Sequence, residues 1–172
     1  MKNKEIERKF LIEPEKIPFD LEKLDYCDMV QGYVTSVDKE LTFRLRHVLY
    51  KNTEGVPTGE KWFQTLKGKG SKIRDEYEIE LSKEQFSTMW KMCERLSLHK
   101  FRYEIKQNFG TIHLDRYKNG LKGLWTLEVE FDTLQNCDDF VPLDWFGEEV
   151  TENMDYTNLS MAINGLPEKI SK

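Results

Sequence analysis

Glu5-Ile6-Glu7-Arg8-Lys9 puts two carboxylates and an ammonium group at alternate positions, directly ahead of the apolar run Phe10-Leu11-Ile12. Side chains of a β-strand alternate between faces. Glu5, Glu7 and Lys9 therefore share one face, and Ile6, Arg8 and Phe10 share the other. Two carboxylates one pleat apart make an oxygen site for a hard divalent cation such as Mg²⁺ or Mn²⁺. A lysine beside them binds an anion or tunes a nucleophile. Taken alone, the motif equally fits a solvated edge strand, where charges are ordinary.

The same alternation recurs along the chain. Thr42-Phe43-Arg44-Leu45-Arg46 places both arginines on one face, and Lys67 lies opposite Leu66. Arg74, Glu76, Glu78 and Glu80 share a face, with Tyr77, Ile79 and Leu81 behind them. Lys100 and Arg102 alternate with Phe101 and Tyr103, and Glu128 and Glu130 with Leu127, Val129 and Phe131. A charged face opposite an apolar one is what a half-buried strand looks like. The charges are also sorted, with Arg and Lys on some strands and paired Glu on others. That sorting suggests separate cation-binding and anion-binding walls. A closed barrel with a polar lumen would bring such rows together, because inward and outward residues alternate on every strand.

The elements that must position these rows follow from the same pattern. Strands are expected at about 3–12, 29–37, 41–51, 61–67, 72–81, 99–107, 110–118 and 124–132, with turns at 52–59, at Gly68-Lys69-Gly70-Ser71 and at 119–123. Eight is a number that closes a small barrel. Residues 14–25 read as a turn and a short helical piece. Ser82 and Gln85 form a capping-box pattern ahead of the helical stripe Phe86, Met89, Trp90, Cys93 and Leu96, which is expected to pack outside the sheet. The tail reads as irregular to about Met154, with a short helix around Tyr156, Leu159, Ala162 and Ile163. The fold class is thus α+β, mainly β: a closed eight-stranded antiparallel barrel with a few helices outside. The 172 residues suit one domain, 1–172.

Composition narrows the function. A net charge of −5 gives no general nucleic-acid surface, although local basic rows still suit small polyanions. No run is long enough for a membrane span and no signal-peptide core begins the chain. Cys27, Cys93 and Cys137 fit no zinc or disulfide spacing, so a reducing compartment, most simply the cytoplasm, is expected. His113 and Asp115 alternate on one strand; Asp115 can join the carboxylate wall, while a structural hydrogen bond suffices for His113. Gly68-Lys69-Gly70 lacks the cradle of a Walker loop and is expected to be a mobile turn. Trp62, Trp125 and Trp145 are expected to pack rather than stack a ligand.

Taken in order, Glu5-x-Glu7-x-Lys9, Arg44-x-Arg46, Lys67 with Gly68-Lys69-Gly70, Arg74-x-Glu76-x-Glu78, Lys100-x-Arg102, Glu128-x-Glu130 and the ending from Glu149 to Ala162 resemble the CYTH domain proteins, the triphosphate tunnel metalloenzymes. The resemblance spans about residues 3–163. It implies an eight-stranded antiparallel tunnel acting on triphosphates with Mg²⁺ or Mn²⁺. It implies metal ligation among Glu5, Glu7, Glu76, Glu78, Asp115, Glu128 and Glu130, with the ion expected on Glu5, Glu7 and Glu130 and with Glu128 or Glu78 nearby. It implies phosphate binding by Lys9, Arg44, Arg46, Lys67, Arg74, Lys100 and Arg102. Lys9, either as proton acceptor or as plain phosphate ligand, and Tyr33 beside it are the catalytic expectations. Like-charge repulsion among Arg44, Arg46, Arg74 and Arg102 is expected to strain the empty protein. Inorganic tripolyphosphate is the leading substrate, a small molecule with no nucleic-acid or membrane partner. Thiamine triphosphate or nucleoside triphosphate hydrolysis, adenylate cyclisation and non-catalytic polyphosphate binding are the rivals. The paired carboxylates weigh against a mere binder, which would need chiefly the cations.

Overall fold

Alternation of polar and apolar positions builds eight strands: β1 (Asn3–Leu11), β2 (Tyr26–Thr35), β3 (Thr42–Lys51), β4 (Pro57–Lys67), β5 (Ile73–Leu81), β6 (Ser97–Gln107), β7 (Gly110–Tyr117) and β8 (Trp125–Glu130). The structure, a computed structural model, describes residues 3–36, 41–68 and 72–168, and the side chains of Asn3, Lys4 and Arg74 fall outside the described set. Strand neighbours run β1-β5-β4-β3-β2-β6-β7-β8, with every pairing antiparallel. The sheet is strongly curled, and β1 meets both of its flanks. Asn3–Ile6 pairs with β5, and Glu7–Leu11 pairs with β8. The two ladders meet at one point: Glu7 N donates to Lys72 O (3.2 Å) and Phe131 N donates to Ile6 O (2.9 Å).

The curl turns the usual polarity inside out. Glu7, Lys9, Gln31, Arg44, Lys100, Arg102, Asp115 and Glu128 are buried on the inner face. The apolar core lies on the outer face, where Phe10, Ile12, Ile105, Ile112, Leu114, Leu127 and Val129 pack beneath Phe19, Leu21, Phe140, Trp145 and Phe146. Each such side chain fully buried contributes about 1.5–3 kcal/mol. Most of the apolar core thus lies on the outer side of the sheet, while the inner side combines the charged rows with a smaller apolar cluster of Cys27, Met29 and Val48.

Helix α1 (Lys83–Trp90) starts with the expected capping box: Ser82 Oγ accepts from Gln85 N, and Gln85 Oε1 accepts from Ser82 N. Phe86 and Trp90 pack outside the sheet on Leu45 and Leu81. The helix stops at Trp90, so Cys93 and Leu96 continue the stripe from a turn. Gly32 on β2 lies under that turn, where an added Cβ would come within 2.8 Å of Cys93 O.

Three expectations needed correction. β4 begins at Pro57, inside the expected turn, because its pairing with β3 runs out to Lys51. The tail is not wholly irregular: α2 (Leu134–Asp139), capped by Thr133, buries Cys137. The apolar face of β5 is only partly covered. Leu81 lies against α1, whereas Tyr77 and Ile79 are about half exposed, at 47% and 54%. The turn expected at Lys69, Gly70 and Ser71, and the expected strand end at Val37, lie outside the described residues. After α2 the chain returns along β1, forms a short 3-10 turn at Met154–Tyr156 and ends in α3 (Asn158–Asn164).

Candidate active site

Register decides which charges meet. Glu7 of β1 lies directly across from Glu130 of β8, and Lys9 across from Glu128. Oxygens of Glu5, Glu7 and Glu130 all lie within 4.8 Å of one another. Three carboxylates at that spacing repel unless a cation lies between them. An all-oxygen donor set with no Cys suits a hard divalent cation. The trio is also tied to its surroundings. Lys67 Nζ donates to Glu5 at 2.8 and 3.2 Å, and His113 Nδ1 lies 3.3 Å from Glu130 Oε1. That hydrogen bond from His113 holds the Glu130 carboxyl below its usual range.

Facing the trio are the cations of β3, β4 and β6. None is left without a counter-ion. Arg46 Nη2 donates to Glu78 (2.9 and 3.0 Å), and Arg44 Nη2 donates to Glu78 (3.1 Å), Glu76 (3.4 Å) and Thr65 Oγ1 (3.0 Å). Lys67 also pairs with Glu76 at 2.7 Å. Arg102 donates to both oxygens of Asp115 at 2.7 Å and to Glu128 at 2.5 Å, and Lys100 donates to Asp115 at 2.5 Å. Among Arg44, Arg46 and Arg102 the expected repulsion is therefore offset by interleaved carboxylates. It persists in part: burial, then the nearby Arg44, pushes Arg46 down to about 10. Burial and Arg102 likewise push Lys100 down to about 8.

The seven carboxylates expected around the metal divide accordingly. Glu5, Glu7 and Glu130 come together. Glu76 and Glu78 belong to the basic wall as partners of Lys67, Arg44 and Arg46. Asp115 is locked between Lys100 and Arg102, fully buried. Glu128 bridges Lys9 (3.2 Å) and Arg102. Its burial favours the neutral acid, but Lys9 and Arg102 outweigh this and hold the carboxyl well below its usual range. The side chain of Arg74 lies outside the described residues; its backbone pairs with Glu5.

Two cavities adjoin along this inner face, of about 280 and 370 Å³, and share Glu7, Arg44, Lys67, Glu128 and Asn158. The first holds the carboxylate trio with Arg46, Lys100 and Arg102. Lys9 and Tyr33 line the second, beneath the segment from Val150 to Asn164. Tyr33 Oη accepts from Gln31 Nε2 at 2.6 Å, and burial raises the phenol pKa, so Tyr33 keeps its proton. Asn158, read in the sequence only as part of the C-terminal segment, was not expected to line the site. It is the first residue of α3, and its Oδ1 accepts from Tyr117 Oη at 2.7 Å. No strand pattern announces a residue placed by a helix start. None of the tryptophans lines either cavity; Trp62 stacks on His47 and Trp145 packs on Phe19.

The sequence matches the CYTH domain model over residues 3–155. The chain belongs to the CYTH domain family. Among its CYTH relatives is the inorganic triphosphatase of Nitrosomonas europaea, 35% identical over 161 residues, covering 93% of this chain and 97% of that protein. The inorganic triphosphatase of Acetivibrio thermocellus is 28% identical over 163 residues, covering 94% of each. The crystal structure of the inorganic triphosphatase NE1496 superposes with a TM-score of 0.62 at 34% identity, covering 92% of this chain and 94% of that one. As a CYTH chain, it joins a mainly antiparallel β architecture to an acidic cluster fit for a divalent metal. No helix among the described residues is long and apolar enough to cross a membrane.

Proposed function

We propose that this CYTH chain is a metal-dependent triphosphatase that hydrolyses inorganic tripolyphosphate to pyrophosphate and phosphate. Residues 1–172 work as one domain, and the curled sheet works as a closed eight-stranded tunnel. The observation that carries the reading is the meeting of Glu5, Glu7 and Glu130 with Arg44, Arg46, Lys67, Lys100 and Arg102 along one cavity wall. The overlap of both β1 ladders at Ile6 and Glu7 supports closure. Relatives named inorganic triphosphatase, at 35% and 28% identity, support the substrate.

Mg²⁺ or Mn²⁺ held by Glu5, Glu7 and Glu130 would neutralise phosphate oxygens and lower the pKa of a bound water. The protein's own task is positioning and charge stabilisation, which is most of what phosphoryl transfer requires. Arg44, Arg46, Lys67, Arg74, Lys100 and Arg102 bind the phosphates, with the arginines suited to bidentate contacts. Arg44, Arg46, Lys67, Lys100 and Arg102 each exchange a carboxylate partner for a phosphate oxygen, so binding costs less than ordering free side chains would. Lys9 binds phosphate from the Glu128 side, and Tyr33 donates a hydrogen bond rather than acting as a base. Three buried free cysteines support a reducing compartment, the cytoplasm.

The test is kcat/KM for tripolyphosphate, thiamine triphosphate, ATP and pyrophosphate with Mg²⁺ or Mn²⁺. Tripolyphosphate is expected to be cleaved fastest and pyrophosphate hardly at all, being too short to reach both metal and basic wall. Cyclic AMP formed from ATP faster than tripolyphosphate is cleaved would overturn the assignment.

A further inference from the structure

β1 carries the metal and lysine row, yet beyond Ile6 it has no β5 partner on one edge: β5 pairs only with Asn3–Ile6. The edge from Lys9 to Leu11 is instead covered by the segment 147–151. Val150 N donates to Lys9 O (2.8 Å), Leu11 N to Glu148 O (2.8 Å) and Gly147 N to Leu11 O (3.0 Å). Phe10 and Glu149 form an antiparallel bridge. A Cβ on Gly147 would lie 2.5 Å from Leu11 O, so the approach at that point admits only glycine.

Side chains then fasten this segment in place. Arg8, on the outer face, grips Glu149 with Nε (2.9 Å) and Nη2 (2.6 Å), and donates through Nη1 to Phe140 O (2.8 Å). Thr151 Oγ1 donates to Glu149 Oε1 (2.7 Å) and accepts from Lys9 N (3.0 Å). An unbroken path thus runs from an outward arginine to the backbone of the inward lysine. Glu7 and Lys9 flank Arg8 in sequence, and their aim depends on how flat β1 is held at Arg8.

We propose that Arg8, Glu149 and Thr151 are positioning residues that hold β1 so that Glu7 completes the metal trio and Lys9 reaches the phosphates. This rests on the triphosphatase reading of the inner face. The three residues touch neither metal nor substrate; they act through the β1 backbone. The same clasp leads directly into the segment that covers the second cavity, so it also seats Asn158.

The test compares Thr151→Val, which keeps shape but loses the acceptor for Lys9 N, with Glu149→Gln and Thr151→Ser. Direct binding of Mn²⁺ alone is measured by calorimetry, beside melting temperature, kcat and the KM for tripolyphosphate. Loss of positioning contacts around a metal site typically lowers affinity or activity by about 10–100-fold. Thr151→Val and Glu149→Gln are expected to stay folded and to lose about tenfold in Mn²⁺ affinity and in kcat. The KM rises less than Mn²⁺ affinity falls, because Lys9 is one phosphate contact among several and the basic wall on β3, β4 and β6 is untouched. Thr151→Ser restores all three values. A purely structural clasp would lower the melting temperature alone; folded variants with unchanged Mn²⁺ affinity and kcat would overturn the proposal. Wild-type protein that binds no Mn²⁺ would overturn it together with the metal assignment. Wild-type protein that binds Mn²⁺ but cleaves no tripolyphosphate would sink the triphosphatase reading alone, while Mn²⁺ affinity still judges the clasp.

Discussion

Asp115→Asn is the most telling single substitution on the inner face of the sheet. Asp115 is fully buried and makes three charge-assisted contacts, one to Lys100 and two to Arg102. Asn preserves the shape but leaves two buried cations short of one negative charge. Removing one partner from a buried ion pair costs about 3–5 kcal/mol. Two features favour the lower figure. Arg102 retains Glu128, and Lys100, already at about 8, can shed its proton. At about 3 kcal/mol and roughly 2–4 °C per kcal/mol for a chain of this size, the melting temperature should fall by about 6–12 °C. Tripolyphosphate should then do more for the mutant than for the wild type, since its charge replaces what Asp115 supplied. A ligand at 100 times its Kd stabilises by about 2.7 kcal/mol. Scanning fluorimetry with chelator, with and without tripolyphosphate, measures both. A melting temperature within about 2 °C of wild type, with an equal ligand shift, would refute this electrostatic reading of the inner face.

Glu5→Gln or Glu7→Gln should lower turnover by about 10²-fold with the fold intact, and near-normal metal-dependent turnover in both would dissolve the proposed metal site. Arg46→Ala should destabilise the empty protein rather than relieve it, because Glu78 loses a partner; denaturant melts measure the sign. In pH profiles, kcat/KM for tripolyphosphate should fall as pH rises through about 8, where Lys100 of the free protein loses its proton, and Lys100→Arg should abolish that limb. For stability the sign is opposite. Between about 8 and 10.5 the unfolded chain binds the extra proton, so the Lys100 contribution becomes more favourable as pH rises, after a constant penalty below 8.

Period-two alternation made the inner row of β1 legible, because Glu5, Glu7 and Lys9 face one way in any strand they could form. The same logic placed Arg44, Arg46, Lys100 and Arg102 on the inner face. What it could not provide was cross-strand register. Glu78 looks like Glu130 in sequence, yet Glu78 lies level with Thr65 and meets Arg44 and Arg46, while Glu130 lies level with Glu7. Pairing between distant strands is what separates the proposed metal ligand from the counter-ion. Glu149, Thr151 and Asn158 stood out only as part of an ending that resembles the family's, and their contacts could not be read from the sequence, because none repeats with any period. Helix α2 was missed because six residues, among them Asn, Cys and Asp, carry neither length nor strong propensity.

The inverted polarity of the sheet also governs how such a sequence can change. Core and chemistry occupy alternate letters of the same words: Phe10 beside Lys9, Leu127 and Val129 around Glu128. Point substitutions at inward positions rewrite the inner face and leave the outer apolar layer intact. A one-residue deletion inside a strand is different in kind. It would turn leucines onto the inner face and carboxylates into the core, destroying stability and site in one event. Descendants of this chain can explore new polyanions letter by letter, while length changes are confined to the turns.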